Sequence, residues 1–121
     1  MIKRSADMEK EVRERMREGT GTVEFLHIFR KEEMKGKARL FARLRLPPGS
    51  SIGYHQHEGE EEVFYILSGT GFVTDQGSAS EPGTGTEVGP GDAVLTGGGA
   101  GHSIANRGTE PLDLLAVILV Y

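Results

Sequence analysis

Turn-forming residues interrupt this chain at short intervals, and the stretches between them have the length of single strands. Glycine occurs 18 times in 121 residues, with no three-residue period. It therefore reads as turns rather than as a collagen-like repeat. Ala38, Leu40, Ala42, Leu44 and Leu46 alternate with Arg39, Arg43 and Arg45, the pattern of a half-buried strand. Pro47-Pro48-Gly49 ends that strand, because proline cannot donate to a sheet ladder. Further short strands are expected at Val23–Phe29, Glu62–Leu67, Phe72–Asp75, Thr86–Val88, Ala93–Thr96 and His102–Asn106, with a small polar loop over Gln76–Gly85. Leu114–Tyr121 is continuously apolar, as in a strand covered on both faces. Many short strands at close spacing predict an all-β sandwich or barrel.

The first twenty residues follow a different pattern. Met8, Val12 and Met16 recur at every fourth position among charges of alternating sign, and Gly19 follows. That spacing predicts a short helix over residues 5–18. The expected organisation is an N-terminal helical arm, residues 1–20, and one β-barrel domain, residues 21–121.

Composition narrows the function classes. A formal charge of −4 argues against a sequence-independent hold on nucleic acid. No apolar run approaches the ~20 residues a spanning helix needs, and Met1–Gly19 lacks the apolar stretch of a secretory signal. The absence of cysteine excludes disulfide and thiolate chemistry and makes the cytoplasm the expected compartment.

Chemistry concentrates in four residues. His55 and His57 are two apart, so on a strand they share a face. Glu62 opens the next expected strand after a link of hairpin length, and it shares a face with Phe64 and Ile66. A carboxylate on an apolar inner face is costly unless a cation neutralises it. His102 completes the set from a distant strand. Three imidazoles and one carboxylate are a donor set for a divalent first-row metal. The expectation is one divalent ion per chain, held by His55, His57, Glu62 and His102.

The spacing around these residues resembles the two signature motifs of the cupin superfamily. The first runs Gly49, five residues, His55-x-His57, four residues, Glu62, six residues, Gly69. The second runs Gly91, five residues, Gly97, one residue, Gly99, two residues, His102, three residues, Asn106. The family usually has proline where Gly97 stands. The resemblance implies a double-stranded β-helix (jelly-roll) barrel with the metal inside, the ion being Mn, Fe, Ni, Co, Zn or Cu. Similar small cupins are often homodimers.

Other residues carry plainer expectations. Glu58, Glu60 and Glu61 read as a solvated turn, and His27 as a satisfied core histidine. Tyr54 is expected to point away from the histidine pair. Gly97, Gly98, Gly99 and Gly101 resemble a phosphate loop in composition only, with no lysine-threonine or lysine-serine pair following. Val63, Tyr65 and Leu67 should face outward opposite Glu62, as should Phe41. A second copy of the chain, or the N-terminal helix, would cover them. Phe64, Ile66, Leu44, Leu46 and Ile104 should line an apolar pocket, with no acid or base beside the metal ligands. The functional expectation is a metalloenzyme acting on a small organic acid, carbonyl or sugar-like substrate by oxygenation, decarboxylation or isomerisation. The alternatives are a non-catalytic small-molecule binder or sensor and, more remotely, a closed structural zinc site.

Overall fold

The computed structural model describes residues 1–75 and 85–121. Its strands are β1 (Glu9–Glu14), β2 (Thr22–His27), β3 (Ala38–Leu46), β4 (Ser51–Gln56), β5 (Glu60–Ser68), β6 (Gly71–Asp75), β7 (Thr86–Val88), β8 (Ala93–Gly97), β9 (Gly101–Ala105) and β10 (Leu112–Val120). They form a six-stranded sheet, β1-β2-β3-β10-β5-β8, and a four-stranded sheet, β4-β9-β6-β7. Neighbouring strands are antiparallel throughout. Phe25, Leu44, Leu46, Phe64, Ile66 and Leu114 from the larger sheet pack with Ile52, Val73 and Ile104 from the smaller one. This is the expected jelly roll, with its core between the two sheets. Apart from Gly85, the expected polar loop lies outside the described residues.

The alternation in β3 sets its faces as the sequence implies, with Ala42, Leu44 and Leu46 buried and Arg43 and Arg45 exposed. In β10, Leu112, Leu114, Ala116 and Ile118 face the core. The opposite face is less covered than a continuous apolar run suggests: Leu115 and Val117 are half-buried, and Leu119 is 38% exposed.

The N-terminal helix is corrected by the structure. Residues 5–7 and 16–18 are single 3-10 turns, and β1 lies between them as an added strand on the edge of β2. A three-residue apolar stripe stabilises an isolated helix of this length poorly, whereas the β2 edge offers a six-residue ladder. The register places Glu11 opposite Phe25, and Arg13 opposite Val23. The charged face of β1 therefore turns toward the barrel mouth, and Val12 points away, 62% exposed.

Candidate metal centre

β4 reaches the site through a bulge. Ile52 pairs with Ile104 and His55 pairs with His102, so β4 spends one residue more than β9 over this stretch. The extra residue reverses which face looks inward. Ile52 sits in the core, yet His55, three residues on, also turns inside. Gly53 makes the bulge possible: a Cβ there would lie 1.9 Å from the Arg17 carbonyl oxygen. Tyr54 turns to the outer side of the small sheet, beside Ser103, as expected.

His57 is fixed by the glycine run. Its N–H donates to the Ala100 carbonyl (3.0 Å), and its carbonyl accepts from the Gly99 N–H (2.8 Å). The loop rejected as a phosphate cradle thus clamps one histidine beside another. Glu62 comes from β5 in the facing sheet, and its neighbour Phe64 stacks on the His102 ring at 4.8 Å and 11°.

The structure brings all four expected residues together. One donor atom from each of His55, His57, Glu62 and His102 lies within 4.8 Å of the others. The His57 Nε2 is 3.0 Å from Glu62 Oε1 and 3.1 Å from His102 Nε2, and His102 Nε2 is 3.1 Å from Glu62 Oε1. The three rings are 4.8–4.9 Å apart and steeply inclined to one another, at 70°, 73° and 88°. His57, Glu62 and His102 are buried and His55 is partly so.

Hydrogen bonds fix which nitrogens carry protons. The Nδ1–H of His55 donates to the Gly53 carbonyl (2.8 Å), and the Nδ1–H of His57 donates to the Glu60 carboxylate (2.7 Å). Both acceptors can only accept, so each Nε2 presents a lone pair to the centre. His102 Nδ1 is buried and without a partner. Lone pairs and a carboxylate crowded at about 3 Å repel unless a cation lies among them. The donor set therefore fits a divalent metal.

Burial pushes His55 below its usual range, against the raising effect of its bond to Gly53, and nearby charges, including Arg17, act in the same direction as burial. The Glu62 carboxylate facing its Nε2 raises His57 despite its desolvation. Burial would raise Glu62, but the adjacent His102 and His57 imidazoles outweigh it and hold the carboxyl below its usual range.

Above the centre lies a cavity of about 60 Å³. His55, His57 and Glu62 form its floor, and Met16, Phe25, Leu40, Leu44, Ile52, Phe64 and Ile118 its walls, while Arg13, Arg17 and Arg39 also line it. Leu46, Ile66 and Ile104, expected to line the pocket, lie deeper in the core. Among the described residues that line the cavity, the only ionisable groups besides the floor are the three arginines. His27 is set apart, stacked on Phe25 and bonded to Glu11 (2.8 Å), as a satisfied core histidine.

Several functional residues are not evident from sequence. Glu60, expected in a solvated turn, bonds His57 and forms a two-pronged pair with Arg39 (3.0 and 2.8 Å), which holds its carboxyl below the usual range. Arg13, Met16 and Arg17 come from the segment expected to be a helix. The available signal was Gly53, since a glycine inside a strand pattern marks a bulge or a close approach.

Known proteins resemble this chain along its whole length. The cupin domain family matches residues 42–118. An oxalate-binding protein of Thermotoga maritima is 46% identical over 120 residues, covering 99% of this chain and 94% of that protein. The crystal structure of a predicted oxalate decarboxylase from Thermotoga maritima superposes with a TM-score of 0.88 at 45% identity, covering all of both chains. A Thermus thermophilus structure matches with a TM-score of 0.64 at 26% identity, covering 79% of this chain and 81% of that one.

Proposed function

Because this chain belongs to the cupin domain family, we propose that it is a metal-centred binding protein for a small carboxylic acid. His55, His57, Glu62 and His102 would hold one divalent ion. Imidazoles with a single carboxylate suit Mn, Fe, Co, Ni, Cu or Zn better than Ca or Mg, which favour all-oxygen shells. A metal bound there supplies a Lewis-acid centre that attracts an anionic oxygen.

The observation that carries this reading is the cavity itself. Three arginines and apolar walls surround a donor floor, which is a polar anchor in an otherwise apolar pocket. At about 60 Å³ it is far below the ~300–1,000 Å³ of drug-sized pockets, so the ligand has few heavy atoms. Oxalate is such a ligand, and the names of both Thermotoga maritima relatives contain it. The cavity reaches three of the four donors, which favours an open centre over a sealed structural zinc site.

Binding is placed ahead of turnover for a chemical reason. Decarboxylation leaves a carbanion that must take up a proton. Among the described lining residues, the arginines are poor acids and the remaining ionisable groups are the proposed ligands. Turnover of the same ligand is the second outcome, which the assay below distinguishes by its products.

The outer face of the large sheet supports a homodimer. Register places Phe41, Val117, Val63 and Leu95 in one row across four strands, with Tyr65 and Leu67 exposed beside it. The N-terminal segment extends this sheet at its edge instead of covering its face, so a second copy is the proposed cover. Sedimentation should give a dimer at micromolar concentration and a shift toward monomer for Leu95→Glu; a wild-type monomer refutes it.

The main test begins with metal analysis of protein incubated with several divalent ions, followed by oxalate titration. About one ion per chain is expected, with oxalate raising Tm in loaded but not in metal-stripped protein. No retained ion, or equal shifts in both forms, refutes the proposal. Release of formate and carbon dioxide from oxalate would replace binding with turnover.

A further inference from the structure

The turn between β1 and β2 holds three residues in a conformation suited to glycine. Arg15, Arg17 and Glu18 have φ of 46°, 54° and 64°, and among the described residues they are the only non-glycine residues with positive φ. An L side chain is disfavoured in that region. Such strain persists only where surrounding structure enforces it, and here it does. Gly19 N–H donates to the Met16 carbonyl (2.9 Å), Ser51 N–H donates to the Thr20 carbonyl (2.8 Å), and Thr20 Oγ1 donates to the Gly49 carbonyl (2.8 Å). Two glycines let backbones touch: a Cβ on Gly19 would lie 2.2 Å from the Ser51 oxygen, and one on Gly53 would lie 1.9 Å from the Arg17 oxygen. The turn is thus locked onto β4, the strand that carries His55.

Glycine would fit position 17 with less strain, yet the sequence places an arginine there, at the cavity. The other two cavity arginines are already committed. Arg13 bonds Glu11 at 2.8 Å and lies over the Phe25 ring at 4.4 Å. Arg39 grips Glu60 with both prongs. Among the described residues, the Arg17 guanidinium has no carboxylate partner. It is the cavity's uncompensated cation, and its planar fork matches a carboxylate.

We propose that Arg17 is the specificity residue of the cavity, taking the second carboxylate of a short dicarboxylate whose first carboxylate sits at the His55, His57, Glu62 and His102 group. This rests on the metal-centred reading above. A monocarboxylate would use only the floor and would leave the Arg17 fork without a carboxylate to grip.

Oxalate and formate are titrated by calorimetry into metal-loaded wild type, Arg17→Gly, Arg17→Lys and Arg13→Gln. Arg17→Gly suits the local φ, so its Tm and metal content should equal or exceed those of wild type. Its oxalate affinity should fall about tenfold to a hundredfold, while formate affinity changes by less than about twofold. Arg17→Lys, which keeps the charge but not the fork, should fall between. Arg13→Gln should lose less oxalate affinity than Arg17→Gly, since Arg13 already serves Glu11. Unchanged oxalate affinity in Arg17→Gly overturns the assignment. Equal losses for oxalate and formate overturn the two-ended grip. A wild type that binds neither acid removes the parent reading and this one with it.

Discussion

Replacing Glu60 with glutamine tests whether the proposed centre depends on residues outside its four donors. Glu60 Oε2 accepts from His57 Nδ1 (2.7 Å) and from Arg39 Nη2 (2.8 Å), while Oε1 accepts from Arg39 Nε (3.0 Å). A glutamine has one acceptor oxygen and one NH2. With the oxygen toward His57, the NH2 faces an Arg39 donor. Flipped, the NH2 faces the His57 Nδ1–H, and His57 can accept it only by moving its proton to Nε2. That shift removes the lone pair aimed at the centre. Either way the negative charge that raises the basicity of His57 is lost.

Losing such an outer partner typically weakens metal affinity 10–100-fold, or about 1.4–2.7 kcal/mol. The charge-assisted bond alone is worth roughly 1.5–3 kcal/mol. The ion pair with Arg39 adds little, because the Arg39 side chain is 43% exposed and solvent screens it. The expectation for Glu60→Gln is thus a loss of about thirtyfold, read by competition with a chelator of known affinity near neutral pH. Glu58→Gln is the control, since Glu58 is exposed and should stay within about twofold of wild type. Arg39→Gln should lie between the two. A Glu60→Gln protein that titrates like the Glu58→Gln control would refute the role of this hydrogen bond.

Three further outcomes follow from the same geometry. Glu11 is held down to about 2 by its bonds to Arg13 and then His27; because its folded value lies below the unfolded 4.5, its contribution is present above pH 4.5 and lost as pH falls toward 2. Acid unfolding of Glu11→Gln should therefore be flatter than wild type across that window, by a modest margin since the side chain is 35% exposed. Asn106 Nδ2 donates to the Leu46 (2.9 Å) and Glu110 (2.8 Å) carbonyls, and its oxygen accepts from Gly108 (3.0 Å). Asn106→Ala should thus cost about 2–4 kcal/mol and roughly 10 °C of Tm. Gly53→Ala forces the Arg17 turn off β4 and should cost at least about 1–3 kcal/mol, with faster hydrogen exchange at the Glu18 and Gly19 amides while the amides of β10 stay protected.

What the sequence made legible was what depends on local period. Alternation in β3 and β5 assigned faces correctly, and the two-residue spacing of His55 and His57 put them side by side. Glu62 could be read because it begins an alternation with Phe64 and Ile66, both buried. What escaped depends on register between distant strands. Nothing local distinguishes Glu60 from Glu58 or Glu61; only the fold sets its carboxylate against His57 and Arg39. The N-terminal segment misled because its apolar residues repeat at a helical interval, while its strand register presents Glu11 and Arg13 to the interior side. Charges facing inward contradict ordinary binary patterning, and they are tolerable because that side is a cavity mouth rather than packed core.

Charge balance at that mouth narrows the ligand. Arg13 with Glu11 and Arg39 with Glu60 form neutral pairs, which leaves Glu62 and Arg17, among the described residues lining the cavity, as the formal charges without an opposite partner. A divalent ion held with Glu62 leaves one net positive charge on the floor, and Arg17 adds a second at the mouth. The floor is buried and the cavity is small, so solvent screens the charge there less than it would at an open surface, while Arg17 is exposed. A neutral sugar would leave both charges uncompensated, and a monocarboxylate would leave one. A short dicarboxylate cancels both, one at each end, beside the apolar wall of Phe25, Leu40 and Phe64. The same residues that are costly to assemble when empty of anion, a strained Arg17 above a crowded donor set, are therefore the ones whose repulsion a dianion relieves.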